Sequence, residues 1–252
     1  MTALVRAELL KLRTVALPGW LLLTTLALVL LGVLATVLTA GLEGAPLQRD
    51  DPQLLARAVA SASGGNIVLL VLGILALTQE FRFGTATPSF LVTPRRWRVL
   101  VAKLISVAIA GLAFALVSAA VAVGASAGLL ALRGDPVRWG SEIVEVLLGV
   151  VLVMVLYGPI GVAVGALVRN QIAAVVGALA WTFIAEQLLV ALLPEVGRWS
   201  PGGAVSAVLQ LGDLATTRGE LLPVWGGAVL LVAYAAVLAV LGAASTLRRD
   251  LT

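Results

Sequence analysis

The sequence predicts an all-α membrane protein with six transmembrane helices. Of the 252 residues, 61% are hydrophobic and only 12% are charged, and the mean hydropathy is +1.10. Soluble domains carry about 25% charged residues, so a soluble fold of this composition could not cover its surface with polar side chains. Six apolar runs reach the length of about 20 residues that a transmembrane helix needs. Within a single domain, 1–252, the expected spans are 16–40, 64–79, 104–131, 145–168, 172–193 and 224–247.

The segment before the first span predicts an amphipathic helix. In Thr2–Thr14 (TALVRAELLKLRT), apolar side chains recur at helical spacing and basic side chains flank them. Such a helix lies in the membrane interface with its basic residues toward the lipid headgroups. A secretory signal peptide fits less well, because its apolar core is about 7–15 residues long and the charge-free run that follows here, Val15–Leu42, has 28 residues.

The basic residues predict the orientation of the spans. Short loops rich in Lys and Arg remain on the cytoplasmic side of a membrane. The N-terminal segment, the C-terminus and the connections after the second and fourth spans hold eleven of the 17 Lys and Arg residues but only three of the 13 Asp and Glu residues. We therefore expect a multi-pass protein of the cytoplasmic (plasma) membrane, in contact with its lipids, with both termini cytoplasmic.

The loops on the opposite side differ in kind. Residues 43–57 contain two prolines among polar residues, which indicates a partly helical cap. Residues 194–223 have an apolar middle, PGGAVSAVLQLG, that is too short to span. Apolar stretches of about 10–14 residues are typical of interfacial or re-entrant segments. A short re-entrant or interfacial helix is therefore expected before the last span.

Small residues in the third and fourth spans predict close helix packing, because small side chains let helices approach each other in lipid. Gly161 and Gly165 have the spacing of a packing seam. Pro159 predicts a kink in the fourth span, because proline removes one backbone hydrogen bond.

The residue types that are absent exclude several kinds of chemistry. The sequence holds no Cys and no His, which removes disulfides, thiolate chemistry and the commonest general base and metal ligand. It also lacks the Gly-x-x-x-x-Gly-Lys-Ser/Thr loop that binds nucleotide phosphates. We expect no enzymatic activity, cofactor or metal on this chain. Its basic residues lie beside apolar spans, so topology explains them better than nucleic-acid binding does.

The connection between the second and third spans, residues 80–103, is the most distinctive part of the sequence. It alternates aromatic with charged residues, as a short helix at a surface would. Its two motifs, Glu80-Phe81-Arg82-Phe83-Gly84-Thr85 and Pro94-Arg95-Arg96-Trp97-Arg98 followed by Lys103, resemble those of the membrane subunits of bacterial type 2 ATP-binding-cassette (ABC) exporters. The N-terminal Glu8-Leu9-x-Lys11-Leu12-Arg13 and the break Arg169-Asn170-Gln171 are also similar to that family. Phe83 departs from it, since many members carry a polar residue or His there.

The resemblance implies a permease that dimerises, as a homodimer or heterodimer, across a substrate pathway. A separate cytoplasmic ATP-binding subunit would hold ATP and magnesium and supply the energy. The connection 80–103 would carry the coupling helix that this ATPase binds, and the residues expected to couple the two are Glu80, Phe81, Arg82, Gly84, Thr85, Arg95, Arg96 and Arg98. For the arginines the alternative is retention of the loop beside lipid phosphates in the cytoplasm.

One acidic residue, Glu186, falls well inside a span. Ionisable residues at that depth are costly and mark functional sites. Glu186 is therefore a candidate for the substrate pathway, where it could meet a cationic substrate, a proton or the hydroxyl of Thr182. A structural carboxyl group, protonated or hydrogen-bonded between helices, is the alternative. The sequence leaves the cargo open, and a non-transporting membrane anchor or sensor of another complex remains the alternative function.

Overall fold

The computed structural model describes residues 1–84, 96–168, 170–211 and 220–248, with backbone alone for residues 96 and 246–248. Within these ranges the regular structure is entirely helical, as predicted. The helices are α1 (Thr2–Thr14), α2 (Leu17–Thr39), α3 (Leu54–Ala60), α4 (Asn66–Arg82), α5 (Arg96–Arg133), α6 (Ser141–Val168), α7 (Gln171–Ala180), α8 (Glu186–Leu192), α9 (Pro194–Gly197), α10 (Pro201–Val208) and α11 (Val224–Arg248).

Two short connecting turns make six long apolar helices out of these elements. A 3-10 turn, Ser61–Gly65, joins α3 to α4, and a π-helical turn, Trp181–Ala185, joins α7 to α8. With α2, α5, α6 and α11, the described chain then has six helices long and apolar enough to cross a membrane, which confirms the predicted number. The second and third begin at Leu54 and Trp97, earlier than residues 64 and 104, because a helix can continue beyond the apolar part of its sequence.

The centre of the fold is α6, against which α4, α5 and α11 all pack. In the most apolar part of α6 and of α3–α4, 61% and 67% of the residues are buried. The corresponding figures are 22% for α2, 22% for α11 and only 6% for α7–α8. These three outer helices therefore present mostly apolar side chains outward, and such a surface is favourable in lipid and costly in water.

Glycines let α4 and α6 approach until their backbones touch. A Cβ atom on Gly73 would overlap the carbonyl oxygen of Gly158, and one on Gly161 would overlap that of Leu70. A Cβ on Gly165 would lie 3.1 Å from the carbonyl oxygen of Ile74. The predicted seam of small residues on α6 is therefore confirmed as its contact with α4. Pro159 lies inside α6, and the kink expected there stays a prediction.

The connections at the ends of the helices fold back onto the bundle. All seven residues of α3 are buried. The loop after α2 is therefore partly helical, as expected, and its role as a cap on the outer face stays a prediction. Arg133, the last residue of α5, donates hydrogen bonds to the carbonyl oxygens of Val37 and Ala40 and pairs with Asp135 at 3.1 Å. Short helices occur at α1 and α10, where the sequence predicts them. Their placement in a membrane interface stays a prediction.

Candidate functional site

Four charged side chains from three helices meet at the end of the bundle where α4 ends and α5 begins. They are Glu8 and Lys11 on α1, Glu80 on α4 and Lys103 on α5, and they are called the charge cluster below. Glu8 and Lys11 are three residues apart, so they lie on the same face of α1. That face is turned toward the ends of α4 and α5.

Each cation of the charge cluster bridges both carboxylates. The Lys103 Nζ atom lies 2.5 Å from Glu8 Oε2 and 3.0 Å from Glu80 Oε1. The Lys11 Nζ atom lies 2.6 Å from Glu8 Oε1 and 2.9 Å from the same Glu80 Oε1. Two positive and two negative charges therefore alternate around a closed ring of contacts and cancel one another.

The two lysines of the charge cluster differ in how far their side chains are buried. The side chain of Lys103 is 3% exposed and that of Lys11 is 50% exposed, whereas those of Glu8 and Glu80 are 10% and 12% exposed. A buried ammonium group is tolerated only when it is paired and hydrogen-bonded. Lys103 therefore depends on both carboxylates, while Lys11 retains access to solvent.

Opposing effects set the pKa values on α1. Burial alone would raise the pKa of Glu8, but the charge of Lys103 and hydrogen bonds from Lys103 and Lys11 lower it below the ordinary value. Burial would lower the pKa of Lys11, but hydrogen bonds to Glu8 and Glu80 raise it above the ordinary value. Both side chains are therefore held in their charged forms at neutral pH.

The charge cluster fastens α1 to both ends of the connection 80–103. Glu80 is the first residue of the connection and lies on α4, and Lys103 is its last residue and lies on α5. One turn further along α5, the hydroxyl of Ser106 lies 3.3 Å from the carbonyl oxygen of Val5 on α1. A displacement of the connection must therefore either move α1, α4 and α5 together or break buried ion pairs.

The described part of the connection carries exposed aromatic side chains next to arginines. Phe83 is 68% exposed and Trp97 is 45% exposed. The guanidinium carbon of Arg82 lies 5.6 Å from the Phe83 ring centroid, and that of Arg98 lies 5.6 Å from the Trp97 ring centroid. These distances allow cation–π contacts. Aromatic and arginine side chains of this kind are typical of protein-binding surfaces.

The other residues expected to couple to an ATPase have different positions. Phe81 is partly buried and packs against the apolar group that includes Leu77 and Leu100. Gly84 has a left-handed backbone with φ of +68°, which ends α4. Arg96 is the first residue of α5, and its side chain lies outside the described residues. Thr85 and Arg95 also lie outside them.

The charge cluster was not predicted from the sequence. In the structure the Glu80 carboxylate pairs with Lys11 and Lys103 of its own chain, and its expected contact with an ATPase stays a prediction. Glu8 and Glu80 are two of the three acidic residues on the predicted cytoplasmic side. Their isolation among many basic residues near the ends of spans was the one feature of the sequence that could have predicted ion pairs there. Which lysine each one meets depends on how α1 crosses α4 and α5.

A second site surrounds Glu186, the first residue of α8 after the π-helical turn. Only 3% of Glu186 is exposed. Its Oε1 atom accepts a hydrogen bond from the backbone N–H of Gly202, in the first turn of α10. The N–H groups at a helix N-terminus favour a negative charge. The same turn is capped by Ser200, whose Oγ atom accepts from the N–H of Gly203 at 3.0 Å.

Glu186 lines a cavity of about 460 Å³ between α7–α8 and the helices α4, α6, α10 and α11. Tyr157, Trp181 and Tyr234 contribute aromatic rings to this wall, and Thr182 also lines it. The larger cavity, of about 550 Å³, adjoins the charge cluster instead. Tyr157 and Tyr234 were not predicted to lie near Glu186, because each belongs to a different span.

Neither known protein families nor curated proteins identify this chain. No family model matches it, and no curated protein shows significant similarity to it. The function must therefore be inferred from the residues and the geometry described above.

Proposed function

We propose that this chain is the membrane subunit of an ATP-driven exporter. A separate cytoplasmic ATPase binds the connection 80–103 and drives the conformational change. The observation that carries the proposal is the charge cluster. Because it ties α1, α4 and α5 together at the two ends of the connection, a push on the connection is passed to two of the six long helices. Such rigid-body movement of packed helices is a common way to switch a transporter.

The position of the exposed aromatic residues supports the same function. Phe83 and Trp97 lie within the connection, Phe83 just after α4 and Trp97 at the start of α5, and are the side chains a partner would bury there. The sequence lacks a phosphate-binding loop of its own, so the ATP, the magnesium ion and the hydrolysis belong to the partner in this proposal. The motifs of the connection resemble those of type 2 ABC exporter subunits, which agrees with this division of roles.

The membrane arrangement completes the proposal. The chain spans the cytoplasmic membrane of a bacterium six times, with both termini and the connection 80–103 in the cytoplasm. Helix α1 lies in the inner interface, and α9 and α10 lie at, or re-enter, the outer one. A second permease copy, identical or related, completes the substrate pathway. The apolar outer surfaces of α2, α7–α8 and α11 suit contact with lipid and with that copy.

The first experiment asks whether an ATPase accompanies the chain. The full-length tagged protein is purified from its native membranes in mild detergent, and proteins that accompany it in fixed ratio are identified and assayed for ATP hydrolysis. We expect an ATP-binding subunit whose hydrolysis is lost when its own catalytic residue is substituted. A fixed partner without ATPase activity would point to the membrane anchor or sensor, and transport by the purified chain alone would also contradict the proposal.

A pair of variants tests the binding surface. Phe83→Ala combined with Trp97→Ala removes the two exposed rings beside the connection, and loss of such central aromatic contacts should weaken ATPase binding about tenfold or more. Trp225→Ala is the matched control, because Trp225 is 72% exposed and lies in the first turn of α11, at the expected opposite end of the spans. All three proteins should keep the same melting temperature. Equal ATPase binding by the double variant and the control would count against this surface.

A further inference from the structure

The cavity beside Glu186 has an unusual combination of lining groups. It is a groove that runs from Ala173 near the start of α7 to Pro201 at the start of α10. Its wall is apolar for most of that length, and its volume of about 460 Å³ falls within the range of small-molecule sites. The polar and aromatic groups gather at one end, around the carboxylate of Glu186.

The Glu186 carboxylate lies in this wall without a basic partner among the described residues. One of its oxygens accepts the N–H of Gly202, and no other described residue donates a hydrogen bond to the carboxylate. None of the described residues that line the cavity is Lys or Arg. A carboxylate buried to this degree is stable only when its charge is compensated, and a single backbone donor leaves most of that compensation to whatever occupies the groove.

The surrounding rings favour a cation with an apolar body. The rings of Tyr157, Trp181 and Tyr234 line the same cavity as Glu186. The Tyr234 hydroxyl donates to the carbonyl oxygen of Trp199 at 2.8 Å, which fixes that ring in place. Aromatic faces attract organic cations, most strongly where water is excluded. A metal ion is disfavoured, because the described residues provide no group of three His, Cys, Asp or Glu side chains.

We propose that the groove binds a hydrophobic organic monocation, with its positive centre against Glu186 and the rings of Tyr157, Trp181 and Tyr234 and its apolar body along α7. This binding site belongs to the chain alone. That the bound cation is the exported cargo rests on the proposed function, because only a transporter has cargo.

The test measures binding by the purified full-length protein in lipid nanodiscs, without any partner. The probe is tetraphenylphosphonium, and tetraphenylborate is the anion of the same size and shape. We expect saturable binding of tetraphenylphosphonium and only lipid partitioning of tetraphenylborate, measured against empty nanodiscs. This comparison needs no variant, so it does not depend on how any substitution folds. Equal saturable binding of both ions, or of neither, would overturn the proposal.

Substitutions then locate the bound cation. Glu186→Gln retains an oxygen that can accept from Gly202 but removes the charge, and affinity for tetraphenylphosphonium should fall about thirtyfold or more, as when one partner of a desolvated charge pair is lost. Trp181→Ala should lower the affinity about fivefold. Glu195→Gln is the control, because the side chain of Glu195 is 70% exposed and already pairs with Arg198. Unchanged affinity in a folded Glu186→Gln protein would overturn the proposal.

The two proposals can fail separately. If tetraphenylphosphonium binds but no ATPase accompanies the chain, the cation site stands and the exporter fails. If an ATPase copurifies but the cation neither binds nor changes the rate of ATP hydrolysis, the exporter stands and the cation site fails.

Discussion

Lys103 holds the charge cluster together from inside the protein, since its ammonium group contacts both Glu8 and Glu80 and its side chain is only 3% exposed. Lys103→Met keeps a chain of similar length but leaves two partly buried carboxylates with Lys11 as their remaining cation in the cluster. Removal of one partner from a buried ion pair costs about 3 kcal/mol or more of folding free energy. We expect a loss of this size, measured as a lower melting temperature in nanodiscs.

Lys11→Met is the matched control for that prediction, because Lys11 contacts the same two carboxylates at similar distances. Its side chain is 50% exposed, and exposed ion pairs contribute at most about 1 kcal/mol. The melting temperature should therefore fall much less than for Lys103→Met. Equal losses in the two variants would show that burial does not set the strength of this cluster.

Glu8 makes stability depend on pH in one direction. Burial would raise its pKa, but Lys103 and Lys11 bring it below the ordinary value of 4.5. A carboxyl group whose pKa is lower in the folded chain stabilises the fold above its unfolded pKa, and this contribution disappears as the pH falls through the folded pKa. The protein should therefore lose stability progressively as the pH falls below about 5 and Glu8 is protonated.

Glu8→Gln isolates this contribution. The variant should melt at a lower temperature than the natural protein at pH 7, and its melting temperature should decline less over the acid range. Other carboxyl groups titrate in both proteins, so the difference between the two curves reports Glu8. Parallel curves from pH 7 to pH 3 would contradict the lowered pKa.

At the scale of the helices, the contact between α4 and α6 depends on the absence of side chains. Gly73→Ala would place a methyl group into the carbonyl oxygen of Gly158, and backbone at that position cannot move without separating the two helices. Overpacking of a core commonly costs 1–3 kcal/mol, and we expect a loss of at least about 2 kcal/mol, measured from the melting temperature.

Gly124→Ala provides the control for this helix contact. A Cβ at Gly124 has no atom within 4 Å, and alanine favours a helix over glycine by up to about 1 kcal/mol. The control should be as stable as the natural protein or slightly more stable. A tolerated Gly73→Ala variant would mean that α4 and α6 are farther apart in the membrane than the contact requires.

The sequence predicts these helices well but not the contacts among their polar residues. Length and hydropathy are properties of each segment, so the six long helices and the Gly161–Gly165 seam could be predicted locally. The pairing of Glu8 with Lys103 joins residues 95 positions apart, and the contact of Glu186 with Gly202 needs α10 to fold back onto α8. Such contacts depend on the angles at which helices cross and on the paths of the loops, and neither can be predicted from hydropathy.

At the scale of the whole molecule, the charges and the burial pattern describe one consistent arrangement. The well-buried helices α4 and α6 form the centre, and the charge cluster joins α1 to the end of that centre. The apolar faces of α2, α7–α8 and α11 surround it. Because the ion pairs lie at one end and Glu186 lies between α8 and α10, the two candidate sites are at different levels along the helices. This separation agrees with the proposed exporter, in which energy would enter at the charge cluster and the cargo would occupy the cavity beside Glu186.

The orientation of this arrangement can be tested because the natural sequence contains no cysteine. Single variants Thr2→Cys and Ser141→Cys place a thiol on exposed residues separated by three of the six long helices. Since basic segments stay in the cytoplasm, a membrane-impermeant maleimide added to intact cells should label Ser141→Cys, and Thr2→Cys only after permeabilisation. The unmodified protein controls for background. The reverse pattern would contradict the orientation but retain the spans, whereas labelling of both thiols from the same side would contradict the number of spans between them.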